Sequence, residues 1–275
     1  MITSIFVVIV HYNQEKSLIS SLSNLFEFIP KELICVVDNS QTFEPVDSIE
    51  YISLNNPGFG AAMNIGVQQM KKKHPEIECA LLLSHETILD ENNLLNLINQ
   101  LNSSNDLIAV GPVLYLKSGI PWSFGGTFNR GGLHPKNLKK RSIFRKVDWL
   151  DGSCVVVDVE GFLSLGGYPE KYFLYMEDVA FGYTARNAGR QLSVCLESVA
   201  EQQSSGTPRY LAIRNSLVLS RNFRSIFHTS LLLVESLLSI VKSFLSRDLL
   251  SAQERVRAIK DAKTILDQSE FNQKR

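Results

Sequence analysis

The sequence predicts an α/β fold in which a mostly parallel sheet is flanked by helices. Residues 5–10 form a continuous apolar run of mostly β-branched residues, which is typical of a strand buried on both faces. Residues 17–28 carry leucines at helical spacing, and residues 33–37 form a second buried strand. This strand–helix–strand order favours parallel pairing with right-handed crossovers.

Length and composition indicate a folded globular chain. Its 275 residues, 44% hydrophobic and 20% charged, are enough for one large α/β domain or two smaller ones. The formal net charge of +0 gives no electrostatic basis for a nucleic-acid partner. Because the four cysteines lie in apolar runs without metal-ligand spacing, and the chain starts with a strand rather than a signal peptide, we expect a cytoplasmic protein.

Polar residues follow the first two strands. His11, Tyr12 and Asn13 come after the first strand, and Asp38 comes after the second. In open parallel sheets, ligands bind beyond the carboxyl ends of the strands, so these four residues are candidates for ligand contact. For Asp38, an ordinary turn residue is an equally open interpretation.

Residues 54–66 form a glycine-containing loop that leads into a helix. Asn56, Gly60 and Asn64 lie in it at regular spacing. Glycine permits close approach of a ligand to the backbone, and a helix N-terminus attracts anions. The loop lacks the Gly-Lys-Ser/Thr ending of a P-loop and is not a clean dinucleotide fingerprint. A helix start with tight internal packing therefore remains an alternative interpretation.

The next buried strand, at residues 79–83, ends in Ser84, His85 and Glu86. Hard divalent cations such as Mg²⁺ prefer oxygen ligands, usually one or two carboxylates together with phosphate oxygens. Glu86 is the one carboxylate in this group, and a histidine at a strand end is by default a surface residue.

The segment 166–190 runs from an aromatic-rich loop into Glu177 and Asp178 and then into an apolar, helix-spaced stretch. The unpaired N–H groups and the dipole of a helix start favour carboxylates there, and Gly189 is a plausible terminator. The pair either caps the helix or holds one carboxylate as a general base.

Segment 166–190 resembles the part of inverting family 2 glycosyltransferases in which an aromatic loop precedes a Glu-Asp pair. The nearest likeness is to bacterial rhamnosyltransferases of surface-polysaccharide assembly, and it extends in order over about the first 215 residues. The resemblance implies a GT-A type fold, with a Rossmann-like nucleotide-binding half. It also implies that Asp178 is the catalytic base and that Glu177 positions the acceptor.

On the donor side, the resemblance places Asp38 on the nucleotide base and matches Asn56, Gly60 and Asn64 to a second family signature. Ser84–Glu86 replaces the family's metal-binding acidic motif. Only Glu86 remains at a matching position, as a weak ligand for Mn²⁺ or Mg²⁺. Gln202 and Gln203 stand where relatives usually carry a metal-binding histidine. On the acceptor side, the matching positions are Trp149, Asp151 and Gly152.

The C-terminal third is basic and then apolar. Residues 207–228 contain four arginines and no acid, and residues 226–245 carry a broad apolar face. Because Glu235 and Lys242 interrupt that stretch, the uncharged run is expected to be too short to span a bilayer. It suits either an interfacial helix on anionic lipid or an ordinary packed helix.

These observations predict a glycosyltransferase domain at 1–206, with a nucleotide-sugar half (1–115) and an acceptor half (116–206), followed by a helical segment at 207–275. The predicted reaction moves a sugar, with rhamnose as the candidate, from a dTDP- or UDP-sugar to a growing, lipid-linked cell-surface glycan at the inner face of the membrane. Residues 130–146, with seven Lys or Arg and no acid, suit a loop over the diphosphate, an acceptor-docking surface or a solvated basic loop. Two alternatives are a non-catalytic nucleotide-sugar-binding partner subunit and a nucleotidyltransferase or dehydrogenase.

Overall fold

The computed structural model describes residues 1–128, 134–138, 146–203 and 208–273, with side chains up to residue 268. Most of the basic segment 130–146 lies outside these ranges, so its expected roles remain predictions. The described chain divides into two compact units. The first contains residues 1–128, 135–138, 146–173 and 177–203, and the second contains residue 134, residues 174–176 and residues 208–273.

The first unit is a sheet with helices on its faces. Its helices are α1 (Glu15–Leu25), α2 (Phe59–Lys73), α3 (Glu91–Leu101), α4 (Val159–Ser164) and α5 (Glu177–Asn187). Its strands are β1 (Ile5–His11), β2 (Ile34–Asp38), β3 (Glu50–Ser53), β4 (Cys79–Ser84), β5 (Thr87–Ile88), β6 (Leu107–Leu116), β7 (Pro121–Ser123), β8 (Gly126–Thr127), β9 (Lys136–Asn137), β10 (Lys146–Val147), β11 (Cys154–Asp158) and β12 (Gln191–Gln202).

The main sheet has the strand order β10-β12-β6-β11-β4-β1-β2-β3, with β5 beside β12 and β7 beside β6. Strands β3, β2, β1 and β4 run parallel to one another, and β6 runs parallel to β12. Strand β11 is antiparallel to both of its neighbours and joins these two parallel groups. The predicted α/β fold, with a mostly parallel sheet flanked by helices, is confirmed.

The sheet register brings the predicted polar residues together at one edge. Every residue of β1 and β2 is buried, as expected for strands covered on both faces. His11 pairs with Asp38 at the ends of these strands, and Val10 pairs with Ser84 at the end of β4. The parallel topology therefore places the carboxyl ends of three strands side by side.

The second unit is built on three helices, α6 (Arg209–Phe223), α7 (Ile226–Leu245) and α8 (Leu249–Gln273). Within the described chain, α7 is the one helix long and apolar enough, by length and composition, to cross a membrane, with a mean hydropathy of 1.4. The charges of Glu235 and Lys242 do not by themselves take the helix below this threshold. The expectation that the segment is too short to span a bilayer remains a prediction.

Candidate active site

Glu177 and Asp178 are the first two residues of α5, as the sequence predicted. One carboxylate oxygen of Asp178, Oδ2, accepts the backbone N–H of Gly152 at 3.1 Å. The other, Oδ1, accepts the backbone N–H of Val179 at 2.7 Å. The helix ends at Asn187, and Gly189 follows in the left-handed conformation, φ 74°. Local sequence thus sets the start and end of the helix, while Gly152 contributes from a distant segment.

Two of the predicted glycines pack directly against this carboxylate pair. A Cβ at Gly60 would lie 3.1 Å from Cβ of Tyr168 and 3.5 Å from Cβ of Glu177. A Cβ at Gly152 would lie 3.3 Å from Cβ of Asp178. The close approach expected at Gly60 is therefore made by the protein's own segment 168–177, and the start of α2 packs against the carboxyl pair.

Burial raises the pKa of both carboxyl groups. For Glu177, burial is the larger cause and the charge of Asp178 adds to it. For Asp178, burial and then the charge of Asp151 raise the pKa, while the backbone hydrogen bonds oppose the shift. Oε2 of Glu177 has no hydrogen-bond partner within the described residues. Both carboxyl groups therefore retain a proton to higher pH than exposed carboxyl groups do, and two backbone N–H groups stabilise the ionised form of Asp178.

Asn64 holds the segment that leads towards α5. Its Nδ2 donates to the backbone carbonyl of Tyr168, and its Oδ1 accepts the N–H of Tyr168, both at 2.8 Å. The side chain is buried, so its donor and acceptor face the protein's own backbone. The structure thus assigns Asn64 a structural contact, and its predicted contact with the sugar nucleotide remains a prediction.

The start of α2 is also occupied by the chain itself. The N–H of Phe59 donates to the carbonyl of Phe173 at 2.7 Å, and a Cβ at Gly58 would lie 2.3 Å from that oxygen. The tight packing that the sequence left open as one interpretation is therefore present at the first amide of this helix. An anion site at this helix N-terminus remains a prediction. Asn56 precedes this turn, partly exposed and with φ 40°.

A second polar cluster lies at the ends of β1 and β4. The ring of His11 is fully buried, 5.2 Å from the ring of His85 between centroids, and neither of its nitrogens has a partner in the described chain. Burial, followed by the neighbouring His85, lowers the pKa of His11, so its imidazole is neutral. Tyr12 and Asn13 follow at the surface. A buried polar group without a partner among the described residues is uncommon in folded proteins, which makes this end of β1 a candidate contact point for a ligand.

Asp38 organises the turn that follows β2. Its carboxylate accepts the backbone N–H groups of Ser40, Thr42 and Phe43, and also the hydroxyls of Ser40 and Tyr51, at 2.7–3.2 Å. Although burial raises the pKa of Asp38, these hydrogen bonds and His11 lower it below its ordinary value. The turn role left open by the sequence is therefore present, and contact with a nucleotide base remains a prediction.

His85 and Glu86 provide two candidate metal ligands. Nδ1 of His85 lies 3.1 Å from the carbonyl of Val10, a contact that leaves Nε2 as the free nitrogen, 3.9 Å from Oε1 of Glu86. Ser84 is bound by its N–H to the carbonyl of Ser153. Among the described residues, no group of three or more His, Cys, Asp or Glu could hold a metal ion. A metal at Glu86 therefore remains a prediction.

Asp151 lies in a hydrogen-bonded group on the acceptor side. Its carboxylate accepts Nε1–H of Trp122 at 2.8 Å and the hydroxyl of Ser153 at 2.7 Å. The Ser153 hydroxyl also lies 3.1 Å from Oε1 of Gln202, where the sequence lacks the expected histidine. Ser153 and Trp122 were not among the predicted site residues. The sequence shows that Ser153 lies two residues after Asp151 and that Trp122 lies in an aromatic segment before it. It does not show that both side chains bind the Asp151 carboxylate.

Trp149 is held inside the protein. It is 7% exposed, and its indole covers Gly126 so closely that a Cβ there would lie 1.9 Å from the ring. The aromatic residue that lies beside the carboxylates is instead Tyr168, which sequence analysis did not single out. Burial, followed by the charges of Asp178 and Glu177, raises the pKa of Tyr168, so its phenol stays protonated.

Comparisons with known proteins identify the family to which this chain belongs. A family model described as Glycosyl transferase family 2 matches residues 6–162. The low-salt glycan biosynthesis hexosyltransferase Agl10 of Haloferax volcanii is 27% identical over 247 residues, with 82% of this chain and 78% of the relative covered. Rhamnosyltransferase WbbL of Escherichia coli is 24% identical over 264 residues, with 82% and 99% covered.

Among solved structures, GalNAc-T7 with UDP, GalNAc and Mn²⁺ superposes with a TM-score of 0.58 at 14% identity. The match covers 79% of this chain but 47% of that chain, so this protein spans less than half of that neighbour's length. At this identity, the likeness shows the fold, which is of the predicted GT-A type. Because the family match extends over more than half of the sequence, this chain belongs to glycosyl transferase family 2 and is a hexosyl- or deoxyhexosyltransferase.

Proposed function

We propose that this enzyme transfers a sugar with inversion from a nucleoside-diphosphate sugar to a hydroxyl of a growing, lipid-linked cell-surface glycan. The observation that carries the proposal is the environment of Asp178. It is a buried carboxylate at a helix start, held by two backbone N–H groups and with a raised pKa. A base whose pKa lies closer to neutrality accepts a proton efficiently at physiological pH.

In the proposed reaction, the acceptor hydroxyl oxygen attacks the anomeric carbon while the bond to the leaving diphosphate breaks on the opposite face. The hydroxyl proton passes to Asp178. Glu177, kept protonated by burial, positions the acceptor through its unpartnered Oε2. The transition state carries oxocarbenium character, which negative charge at Asp178 and Asp151 favours.

The donor is proposed to bind across the carboxyl ends of β1, β2 and β4. A dTDP- or UDP-sugar fits the expectation from the sequence, and the rhamnosyltransferase relative supports rhamnose as the sugar. The buried, unsatisfied ring of His11 supports a ligand at this edge of the sheet. The residues proposed to line the donor site are His11, Tyr12, Asn13, Asp38, Asn56, Gly60, Asn64, Ser84, His85 and Glu86.

A divalent metal is proposed to bind weakly at Glu86, with His85 supplying a nitrogen through Nε2. When bound, such an ion would supply positive charge to the leaving diphosphate. Since two side chains cannot complete a coordination shell, phosphate oxygens of the donor must provide further ligands. A nitrogen ligand favours Mn²⁺ over Mg²⁺.

The protein is further proposed to be cytoplasmic and to lie on the inner face of an anionic membrane through α7. The helix buries Leu232, Ser236 and Ile240 on one side. The opposite side exposes Ile226, Phe227, Val234, Leu237, Leu238, Val241, Phe244 and Leu245. Basic residues Lys242 and Arg247 are exposed beside this apolar face. One buried and one exposed face suit a helix lying in the membrane interface, where a lipid-linked acceptor would be found.

Asp178→Asn is expected to lower kcat by roughly 10²–10⁴-fold, because the amide cannot accept the proton. Its affinity for UDP or dTDP should stay near the wild-type value. The matched control is Asp90→Asn, an exposed aspartate that caps α3. Turnover would be measured as nucleoside diphosphate released from a panel of UDP- and dTDP-sugars, and near-normal turnover of Asp178→Asn would disprove the base assignment.

Glu177→Gln is expected to gain stability relative to wild type as the pH rises. The folded-state pKa of Glu177 lies above its ordinary value of 4.5. The stability that the protonated side chain contributes to the folded protein is therefore fully present below pH 4.5. It is lost as pH rises through the raised folded-state pKa, whereas a glutamine does not titrate. Melting temperatures at pH 5, 7 and 8.5 measure this, with the exposed Glu91→Gln at the start of α3 as control. Parallel curves for Glu177→Gln and wild type would contradict the assignment.

Mn²⁺ is expected to activate the enzyme better than Mg²⁺, and metal binding is expected to be weak and to depend on bound nucleoside diphosphate. Glu86→Gln and His85→Gln should each raise the Mn²⁺ concentration needed for half-activation, because each removes one of the two ligands. Activity titrations after exhaustive chelation test this. Complete loss followed by stoichiometric Mg²⁺ rescue would contradict the proposal, and no turnover with any metal would favour the non-catalytic partner subunit.

Vesicles containing anionic lipid should sediment the protein, and added salt should weaken this binding by screening the basic residues. Leu238→Glu, at a position 64% exposed on α7, should abolish co-sedimentation. The matched control is Ile19→Glu, at a position 48% exposed on α1. Equal binding of both variants, or no binding of wild type at low salt, would disprove the membrane role of α7.

A further inference from the structure

Asn215, on α6, binds the backbone directly upstream of the catalytic pair. Its Nδ2 donates to the carbonyls of Leu174 and Tyr175 at 2.8 and 2.7 Å. Nε of Arg214 donates to Oδ1 of Asn215 at 2.8 Å, which sets the orientation of the amide. Asn215 is fully buried. All of these residues belong to the second compact unit, although residues 174–176 are far from α6 in sequence.

The segment that Asn215 binds has an unusual backbone. Phe173 has φ 65° and ψ −58°, close to the rare form of the γ-turn, and Tyr175 and Met176 have φ 67° and 73°. Residues with side chains adopt such angles only where their surroundings hold them, and such strain is concentrated at functional sites. The two carbonyls held by Asn215 lie between these strained residues. The amide therefore stabilises a conformation that the segment would not adopt alone.

We propose that Asn215 is a positioning residue for the transfer reaction. Met176 is bonded directly to Glu177, so the dihedral angles at residues 174–176 determine how the chain enters α5. By binding both carbonyls, Asn215 keeps the entry geometry that Asp178 needs to meet the acceptor hydroxyl. The inference rests on the proposed role of Asp178 as base. A side chain that donates two hydrogens from one nitrogen is required, which an aspartate or alanine cannot supply.

Asn215→Ala and Asn215→Asp are expected to lower kcat roughly 10- to 100-fold, the usual loss when a reacting group is misplaced by about 1 Å. The KM for the sugar nucleotide and the Kd for UDP or dTDP should change less than about twofold, since the lowered kcat reflects geometry rather than donor binding. Amide hydrogen exchange at residues 174–178 should accelerate. The control is Ser236→Ala, which removes a buried hydrogen bond from the same unit without touching this segment.

A double-mutant cycle separates positioning from plain stability. If Asn215 acts through Asp178, adding Asn215→Ala to Asp178→Asn should cause little further loss of the residual kcat. Additive losses, wild-type kcat in Asn215→Ala, or equal loss of kcat and nucleotide binding would each overturn the inference. The two proposals fail separately. Normal turnover of Asp178→Asn refutes the base, whereas an inactive Asp178→Asn beside a fully active Asn215→Ala refutes only the positioning role.

Discussion

The structure depends on keeping two adjacent carboxyl groups buried at the start of one helix. A buried carboxylate is costly unless it is hydrogen-bonded, and two neighbouring charges would repel each other. Here Asp178 is compensated by the N–H groups of Gly152 and Val179. Oε2 of Glu177 has no partner among the described residues, and burial raises the pKa of this carboxyl group, so a retained proton would lower the cost of burying it. The two similar side chains thus lie in different environments.

The backbone around Glu177 and Asp178 packs closely against these two buried residues. Gly60 and Gly152 lack side chains where the carboxylate residues pack against them. Several carbonyls of the irregular loops lie outside the sheet and helix hydrogen-bond ladders, and buried carbonyls must be paired. Asparagine side chains provide this pairing. Asn39 donates to Gly58, Asn64 donates to Tyr168, and Asn215 donates to Leu174 and Tyr175.

The side chains of His11 and His85, at the carboxyl ends of β1 and β4, have fewer hydrogen-bond partners among the described residues than the carboxylate of Asp178 has. The Asp38 carboxylate is satisfied by its own turn, whereas both ring nitrogens of His11 lack partners in the part of the chain that the structure describes. His85 and Glu86 provide two potential metal ligands. A nucleoside diphosphate with its metal would supply the missing partners. In the proposed function, the fold itself holds the carboxylate that acts as base, whereas the donor would supply part of the leaving-group site.

The sequence alone determined the features that depend on neighbouring residues. These include the buried strands, the helix start at Glu177, the terminator Gly189 and the polar residues at the strand ends, because periodicity, capping and parallel topology are local or nearly local effects. The tertiary structure alone decided that Phe173 caps α2, that Asn64 binds Tyr168 and that Asn215 holds the segment before Glu177. It also decided which face of α7 is exposed. The partners in these loop contacts lie 40 to 114 residues apart, as with Asn215 and Tyr175 or Phe59 and Phe173. No residue pattern encodes such contacts, because they form only when packing brings distant backbone groups with unmet hydrogen bonds together.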